Sequence, residues 1–281
     1  MYRSDLLQDK RVLITGGGSG LGKSLGRRLL ELGARLVICG RRQDKLAATR
    51  DEFDADFPGR TAIHVCDIRD AEAVEAMLDA IWQDGPLDAL VNNAAGNFLA
   101  KSEELSPRAF DAVTGIVLNG TAYVTLGCGR RWIAEGRGGT VLSIVATYAW
   151  TGSAYVTPSA CAKAGVRALT QSLAVEWGDR GIRLNAIAPG PFPTEGAWDR
   201  LVPTRELEDT WRNRIPPKRF GEHGELADLA VFLLADQSSY VNGEVVAIDG
   251  GEWLKGAGQF NFMEDLTEAQ WDAINPKRKK G

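Results

Sequence analysis

Between residues 11 and 33 the chain passes from RVLIT, through the glycine-rich turn TGGGSGLG (15–22), into LGKSLGRRLLELG. The first run is short, apolar and β-branched, the pattern of a strand buried on both faces. The last carries apolar residues at helical spacing and stops at Gly33. A buried strand that turns through glycines into a helix is compatible with few folds. It also suggests a purpose. Gly16, Gly20 and Gly22 would let backbone approach a pyrophosphate, and the helix N-terminus would favour its negative charge.

The unit recurs. RLVICG (35–40), TAIHVCDI (61–68), LDALVNNAAG (87–96), TVLSIV (140–145), IRLNAIA (182–188) and GEVVAIDGG (243–251) read as further strands. Helical patterns near 43–56, 70–84, 107–135, 158–178 and 225–236 separate them. This alternation predicts an α/β fold, a Rossmann-type doubly wound parallel sheet of about seven strands with helices on both faces. No linker rich in Pro, Gly or Ser divides the chain, and no internal repeat is visible. One domain over 1–281 is expected, with a cofactor-binding half at about 9–100 and a catalytic and substrate-binding half at about 101–281. The stretch 191–220 holds five prolines and two tryptophans, and we expect an irregular lid over the ligand there.

Composition excludes several functions. The net charge of −4 argues against nucleic acid or an anionic membrane as the main partner, since both need a basic face. Cys39, Cys66, Cys128 and Cys161 form no C-x-x-C pair, and the histidines are His64 and His223 alone, so no metal site is expected. The cysteines read as small buried hydrophobes in a reducing compartment. The N-terminus runs straight into the first strand without a signal or transit pattern, and no apolar run is long enough to span a bilayer. The terminal KRKKG is not a peroxisomal address and reads as a solvated tail. A cytoplasmic location is expected.

The end of the second strand distinguishes the two nicotinamide cofactors. NAD sites place a carboxylate there for the ribose 2′-hydroxyl. This chain has Cys39-Gly40-Arg41-Arg42 instead. Paired guanidiniums suit a 2′-phosphate, which arginine binds in a charge-assisted, bidentate way, so NADPH is expected.

The spacing T-G-x-x-x-G-x-G, with CDIRD (66–70), NNAAG (92–96) and PGPFPT (189–194), resembles the short-chain dehydrogenase/reductase family. The resemblance implies cofactor contacts from Gly16, Ser19, Gly20, Leu21 and Gly22 in the turn, and from Arg41 and Arg42 beyond the second strand. It implies Asp67 and Ile68 at the adenine, and Asn93, Ala94 and Gly96 after strand four. Pro189, Gly190 and Thr194 would hold the nicotinamide. It further implies Asn119 as the active-site asparagine, Lys163 in both cofactor binding and catalysis, and a homotetramer.

That family commonly uses a Tyr-x-x-x-Lys pair and a serine at the end of strand five. Spacing of four puts both side chains on one helix face, and the lysine's charge favours the phenolate. In PSACAKAG (158–165) Lys163 is present, but Ser159 stands at the tyrosine position and Ala146 at the serine position. An aliphatic hydroxyl is a much poorer acid. Tyr148 and Tyr155 lie nearby. Tyr148 follows strand five, and such sheets bind ligands at the carboxyl ends of their strands. Tyr155 lies in the loop that Pro158 ends by starting the next helix. The position favours Tyr148.

TYAWTGSAYVTPSACAKAG (147–165), NNAAGNF (92–98), VLNGTA (117–122), GQFN (258–261) and EAQWDAI (268–274) narrow the likeness. They resemble the NADPH-dependent 2,4-dienoyl-CoA reductases of fatty-acid β-oxidation, from about residue 9 to the end. This implies that a serine at 159 is normal, that Tyr148 is the working tyrosine and that Asn97 joins it at the thioester carbonyl. Phe98 and Tyr155 would line the fatty acyl-CoA substrate, with Ser159 near the nicotinamide. The expected product is trans-3-enoyl-CoA. Hydride arriving at C5 sends charge to a distant thioester oxygen, which explains an acid moved away from its usual place. Arg60, Arg69, Lys101, Arg212, Arg214, Lys218 and Arg219 are candidate phosphate partners for CoA, and the group Arg212–Arg219 is preferred because it flanks the lid. Three other readings remain: a trans-2-enoyl-CoA or other activated-alkene reductase, a carbonyl reductase, and a non-catalytic NADPH sensor.

Overall fold

Seven parallel strands form one sheet in the order β3-β2-β1-β4-β5-β6-β7. The structure is a computed structural model and describes residues 2–195, 198–202 and 204–275. The strands are β1 (Arg11–Thr15), β2 (Arg35–Gly40), β3 (Thr61–Val65), β4 (Ala89–Asn92), β5 (Gly139–Ile144), β6 (Ile182–Pro189) and β7 (Val245–Ile248). Helices cover both faces, which is why β1, β2 and β5 read as nearly unbroken apolar runs. The strand order reverses between β1 and β4, and this reversal opens a crevice at their carboxyl ends.

The helices are α1 (Gly20–Glu31), α2 (Gln43–Asp56), α3 (Ala71–Gln83), α4 (Pro107–Thr114), α5 (Thr121–Ala134), α6 (Tyr148–Thr151), α7 (Thr157–Glu176), α8 (Trp198–Leu201), α9 (Arg205–Arg214), α10 (His223–Leu234), α11 (Glu252–Ala257) and α12 (Glu268–Ile274). On one face, Leu25 and Leu29 of α1 and Leu226 and Val231 of α10 pack over Ile14 and Ile38. On the other, Leu78 of α3, Val124 and Trp132 of α5 and Leu173 of α7 pack over Leu13, Leu90 and Val141. A smaller cluster joins Val113, Val117, Val145, Ala149, Ala162 and Val166, with Phe98 and Trp150 packed against it. It underlies the crevice on the β5 side.

Local chemistry sets the helix boundaries. The Asp70 side chain accepts from the Glu72 and Ala73 N–H groups at the start of α3, and Ser106 accepts from Ala109 N–H at the start of α4. A π-helical segment, Gly115–Gly120, links α4 to α5. The resulting 28-residue helix is long and apolar enough to cross a membrane, but half of its apolar window is buried inside the fold, as in a core helix.

The structure departs from the sequence reading in three places. The third and fourth strands stop at Val65 and Asn92, so CDI (66–68) and NAAG (93–96) are loops at the crevice. Tyr148 begins a one-turn helix, α6, where no element was expected. The stretch 191–220 is not irregular throughout, because it contains α8 and α9. Trp198 and Trp211 stack at 5.3 Å there, with Phe220 set edge-on at 4.8 and 6.2 Å. The prolines flank these helices and mask their periodicity. Gly196, Ala197 and Pro203 of this stretch, and the KRKKG tail, lie outside the described residues.

Trp132 is fully buried, and its Nε1–H donates to the Leu87 carbonyl at 2.6 Å. Trp132→Ala should cost about 3–5 kcal/mol. Urea denaturation measures this, and a loss below about 1 kcal/mol would show that the indole does not brace α5 against β4.

Candidate active site

At the end of β1 the Thr15 hydroxyl accepts from the backbone N–H groups of Asn93 and Ala94, both at 3.0 Å. The Asn93 amide donates back to the carbonyls of Thr15 and Gly16, at 3.0 and 3.3 Å. The glycine turn and the loop after β4 are thereby one unit. Gly16 and Gly20 adopt positive φ, 68° and 53°, which only glycine takes without strain. Ser19 precedes α1 with its exposed side chain making no capping bond, so the start of the helix, where Gly20 and Leu21 line the crevice, has no side-chain cap among the described residues. Gly22 serves differently from the expectation. It is buried away from the crevice, and a Cβ there would lie 2.4 Å from Asn93 Nδ2 and 2.5 Å from the Gly16 carbonyl oxygen. It permits close packing of α1 on the turn rather than approach to a ligand.

The crevice holds a cavity of about 490 Å³. Gly16, Ser19, Gly20 and Leu21 line its floor, Asn93, Ala94 and Thr194 its inner end, and Arg41, Arg42, Asp67 and Ile68 its outer end. Lys45 also lines it, and the sequence reading missed that residue. The available signal was its position three residues past Arg42, one turn into α2. Arg41, Arg42 and Lys45 are exposed, and none forms an ion pair among the described residues. Hydrogen bonds from Arg69, assisted by the charge of Arg41, hold the Asp67 carboxyl below the usual carboxylate range. The cradle fits a dinucleotide carrying an extra phosphate, since it offers a helix N-terminus, glycines at the closest approach and three cations without an ion pair among the described residues at one end.

Besides Gly22, four expected cofactor residues stand off this cavity. Pro189 ends β6, and Gly190 donates to the Ile248 carbonyl at 3.0 Å. A Cβ on Gly190 would meet Asp249 Cβ at 2.7 Å, so this glycine answers to packing against β7. Gly96 packs beside Ile116. Lys163 lies beneath the end of β5.

Ser159 and Lys163 share one face of α7, and both are buried. Lys163 Nζ donates to the Ile144 carbonyl, and burial lowers its pKa to about 8. The Tyr148 hydroxyl lies 3.0 Å from Ser159 Oγ. Burial pushes the phenol above its ordinary value, with the Ser159 hydrogen bond acting in the opposite direction. The eleven residues that separate Tyr148 from Ser159 in sequence have collapsed to one hydrogen bond. Ala146 is buried and contributes no polar group.

Asn97 Oδ1 accepts from Phe98 N–H at 2.9 Å. That bond fixes which end of the amide is oxygen and leaves the two Nδ2–H donors to point elsewhere. No hydrogen bond joins Asn97 to Tyr148 among the described residues. Phe98 brings its loop to the cluster containing Ala149 and Trp150, beside α6. Tyr155 has φ 66° and an exposed side chain, and its carbonyl accepts from Ala100 N–H at 2.9 Å. Its backbone thus ties the Asn97 loop to the segment before α7.

Asn119 forms no hydrogen bond with Tyr148, Ser159 or Lys163 among the described residues. Its side chain is exposed within the π-helical segment, whereas Val117, on the opposite side of the helix, is 1% exposed and packs with Val145 and Ala162. The inward position at this level is a valine.

Most of the candidate phosphate partners for CoA already have partners within the protein. Both guanidinium arms of Arg219 are engaged by Glu225, at 2.6 and 2.9 Å. Arg212 is held by Glu208 and Asp209, Lys218 by the Asn213 carbonyl and Arg69 by Asp67. Lys101 faces Glu104 at 3.5 Å. Arg60 precedes β3, at the end of the sheet away from the crevice. Arg214 is exposed and lines a separate small cavity with Glu252 and Lys255. Acidic neighbours close in space, which the sequence does not reveal, neutralise most of these cations.

A family model described as enoyl-(acyl carrier protein) reductase matches residues 16–252. A Bacillus subtilis (strain 168) protein named as a probable 2,4-dienoyl-CoA reductase, (2E)-enoyl-CoA-producing, is 44% identical over 88% of this chain and 98% of its own. A Caenorhabditis elegans protein named as probable 2,4-dienoyl-CoA reductase 3, (3E)-enoyl-CoA-producing, is 38% identical over 98% of this chain and 91% of its own. The crystal structure of a Burkholderia cenocepacia gluconate 5-dehydrogenase in complex with NADP and tartrate superposes with a TM-score of 0.83 at 32% identity, covering 89% of this chain and 98% of that one.

The lowered pKa of Lys163 makes a stability prediction. Between pH 8 and 10.5 the unfolded chain binds more protons than the folded one, so the Lys163 contribution to stability rises with pH across that window. The burden of the buried charge is full below it and gone above it. The stability of Lys163→Met relative to wild type should therefore fall by roughly 2–3 kcal/mol from pH 7 to pH 10.5. Urea denaturation at both pH values measures the difference, and a constant difference would contradict the account.

Proposed function

The chain belongs to the short-chain dehydrogenase/reductase family, and from that premise we propose that it reduces 2,4-dienoyl-CoA thioesters with NADPH. It is an oxidoreductase acting on CH–CH bonds. The observation that carries the substrate reading is the hydrogen bond between Tyr148 and Ser159, one helical turn from Lys163. A phenol raised by burial is a neutral hydrogen-bond donor at neutral pH, unlike the lysine-activated phenolate that carbonyl chemistry needs. Its removal from the usual position suits a substrate whose charge develops several bonds from the reacting carbon.

When bound, the reduced nicotinamide supplies hydride to C5 of the diene. Tyr148 and the free Nδ2–H groups of Asn97 donate hydrogen bonds to the thioester oxygen, where the displaced charge collects. Such donors are worth about 3–4 kcal/mol each in comparable sites. Either hydroxyl can donate in the Tyr148–Ser159 bond; with Ser159 as the donor, the phenolic proton would be directed toward the substrate. Lys163, held by the Ile144 carbonyl, binds the nicotinamide ribose and supplies positive charge beneath it. Phe98 and Tyr155 border the acyl chain. The glycine turn and α1 N–H groups hold the pyrophosphate, and Arg41, Arg42 and Lys45 hold the 2′-phosphate.

Protonation at the α-carbon yields trans-3-enoyl-CoA, our preferred product, and the name of the C. elegans relative supports it. Protonation at the γ-carbon would yield the trans-2 isomer, a second reading favoured by the name of the B. subtilis relative. The substrate assignment implies a place in oxidation of unsaturated fatty acids. We assign the protein to one domain, to a homotetramer and to the cytoplasm, the last supported by four free cysteines.

Mixing the protein with NADPH and 2,4-hexadienoyl-CoA should lower cofactor and diene absorbance together, and NMR of the product should show the 3,4 double bond. Turnover of a ketone but not the dienoyl thioester would reverse the substrate assignment. Tyr148→Phe should reduce kcat by about 100-fold or more and leave the NADPH Kd within about twofold. Full activity in that variant would remove Tyr148 from the mechanism, and adding Ser159→Tyr should not restore a lost activity. The double variant Arg41→Ala/Arg42→Ala should weaken NADPH at least about tenfold while sparing NADH. Equal wild-type Kd values for the two cofactors would overturn the NADPH assignment.

A further inference from the structure

Two walls meet at the inner end of the cofactor cavity, the first turn of α1 and the loop 190–195 after β6. They touch closely, since a Cβ on Gly20 would sit 3.5 Å from Thr194 Cγ2. Among the described residues, one side chain hydrogen-bonds to both. His223 Nδ1 lies 2.7 Å from Ser24 Oγ of α1, and Nε2 lies 2.8 Å from the carbonyl oxygen of Pro193, the residue before Thr194. A carbonyl only accepts, so Nε2 carries a proton and donates. The Ser24 hydroxyl has one proton and also lies 3.3 Å from the Gly20 carbonyl oxygen; when that proton turns to the shorter contact, Nδ1 of the neutral ring accepts it and one tautomer satisfies both His223 bonds.

The ring stands on a fixed base. His223 is the first residue of α10, whose N-terminus is closed by the reciprocal capping bonds of Glu222 and Glu225. Further along α10, Asp228 pairs with Arg28 of α1 at 2.8 Å. Phe192 of the loop is buried in the core cluster with Leu25 and Leu226, but the loop has few backbone hydrogen bonds. Pro191 and Pro193 have no N–H to give. Its other backbone bonds run from Gly190 N–H to Ile248, from Gly221 N–H to Pro191 and from Trp198 N–H to Thr194. None of these reaches α1.

We infer that His223 is a positioning residue for the cofactor, pinning the Thr194 loop to helix α1 so that the inner half of the dinucleotide meets a preformed wall. It touches no reacting atom and acts through Thr194. The inference rests on the cofactor reading above and extends it to a residue outside the cavity.

The test uses the cofactor-free protein and isothermal titration with two ligands, NADPH and adenosine 2′,5′-bisphosphate, which lacks the nicotinamide half. His223→Ala should raise the NADPH Kd about tenfold, the loss expected of up to two hydrogen bonds, and leave the bisphosphate Kd within about twofold. His223→Gln presents an acceptor and a donor at similar spacing and should return the NADPH Kd to within about threefold of wild type. Ser24→Ala, which leaves the Pro193 bond intact, should show a smaller loss of the same kind and serves if His223→Ala does not fold. Unchanged NADPH binding in His223→Ala, equal weakening of both ligands, or a Gln variant no better than Ala would overturn the inference. A wild-type protein that takes up the bisphosphate but not NADPH would remove the cofactor reading, and this inference with it.

Discussion

The functional half of the structure hangs from one knot of hydrogen bonds at Thr15. Its hydroxyl accepts from two backbone N–H groups of the loop after β4, and the Asn93 side chain returns two bonds to the turn after β1. These strands are neighbours at the point where the sheet reverses direction, so their carboxyl ends diverge into a crevice. Without the knot, the glycine turn and the Asn97 loop would be two separate surface loops. With it, the cradle and the Asn97 loop share one support.

Burial shapes the chemistry above that support. Tyr148 and Lys163 are both taken from water, and burial favours the neutral form of each, pushing the phenol up and the ammonium down. Neither has a charged partner among the described residues. Ser159 bridges the geometry by holding the Tyr148 oxygen at 3.0 Å while sharing a helix face with Lys163. The expected tyrosine–lysine pair is replaced by a Tyr148–Ser159 hydrogen bond set one helical turn from Lys163, and the proposed reduction of a conjugated thioester rests on that arrangement.

Much of this was legible in the sequence because it depends on local pattern. The strand and helix periods, the glycines of the turn, the Arg41–Arg42 pair and the substitution at Ser159 are all short-range signals, and the architecture follows from them. The failures share a cause. Arg212 and Arg219 look available until Glu208, Asp209 and Glu225 are seen beside them. Gly22 looks like a ligand contact until Asn93 is found against it. The helices α8 and α9 are hidden among prolines, and stacking of Trp198 on Trp211 reveals what organises them.

The sequence by itself determined the sheet, the nucleotide end of the crevice and the fact that the usual phenol is missing, because each is written in residues close together along the chain. Only the tertiary structure decided which phenol stands nearby, which cations remain unpaired and how the Thr194 loop is held. Those depend on contacts between residues distant in sequence, such as the 199 positions that separate Ser24 from His223, and on the loss of water around them. A one-dimensional pattern carries neither the distance between two such groups nor the desolvation that shifts the protonation of Tyr148 and Lys163.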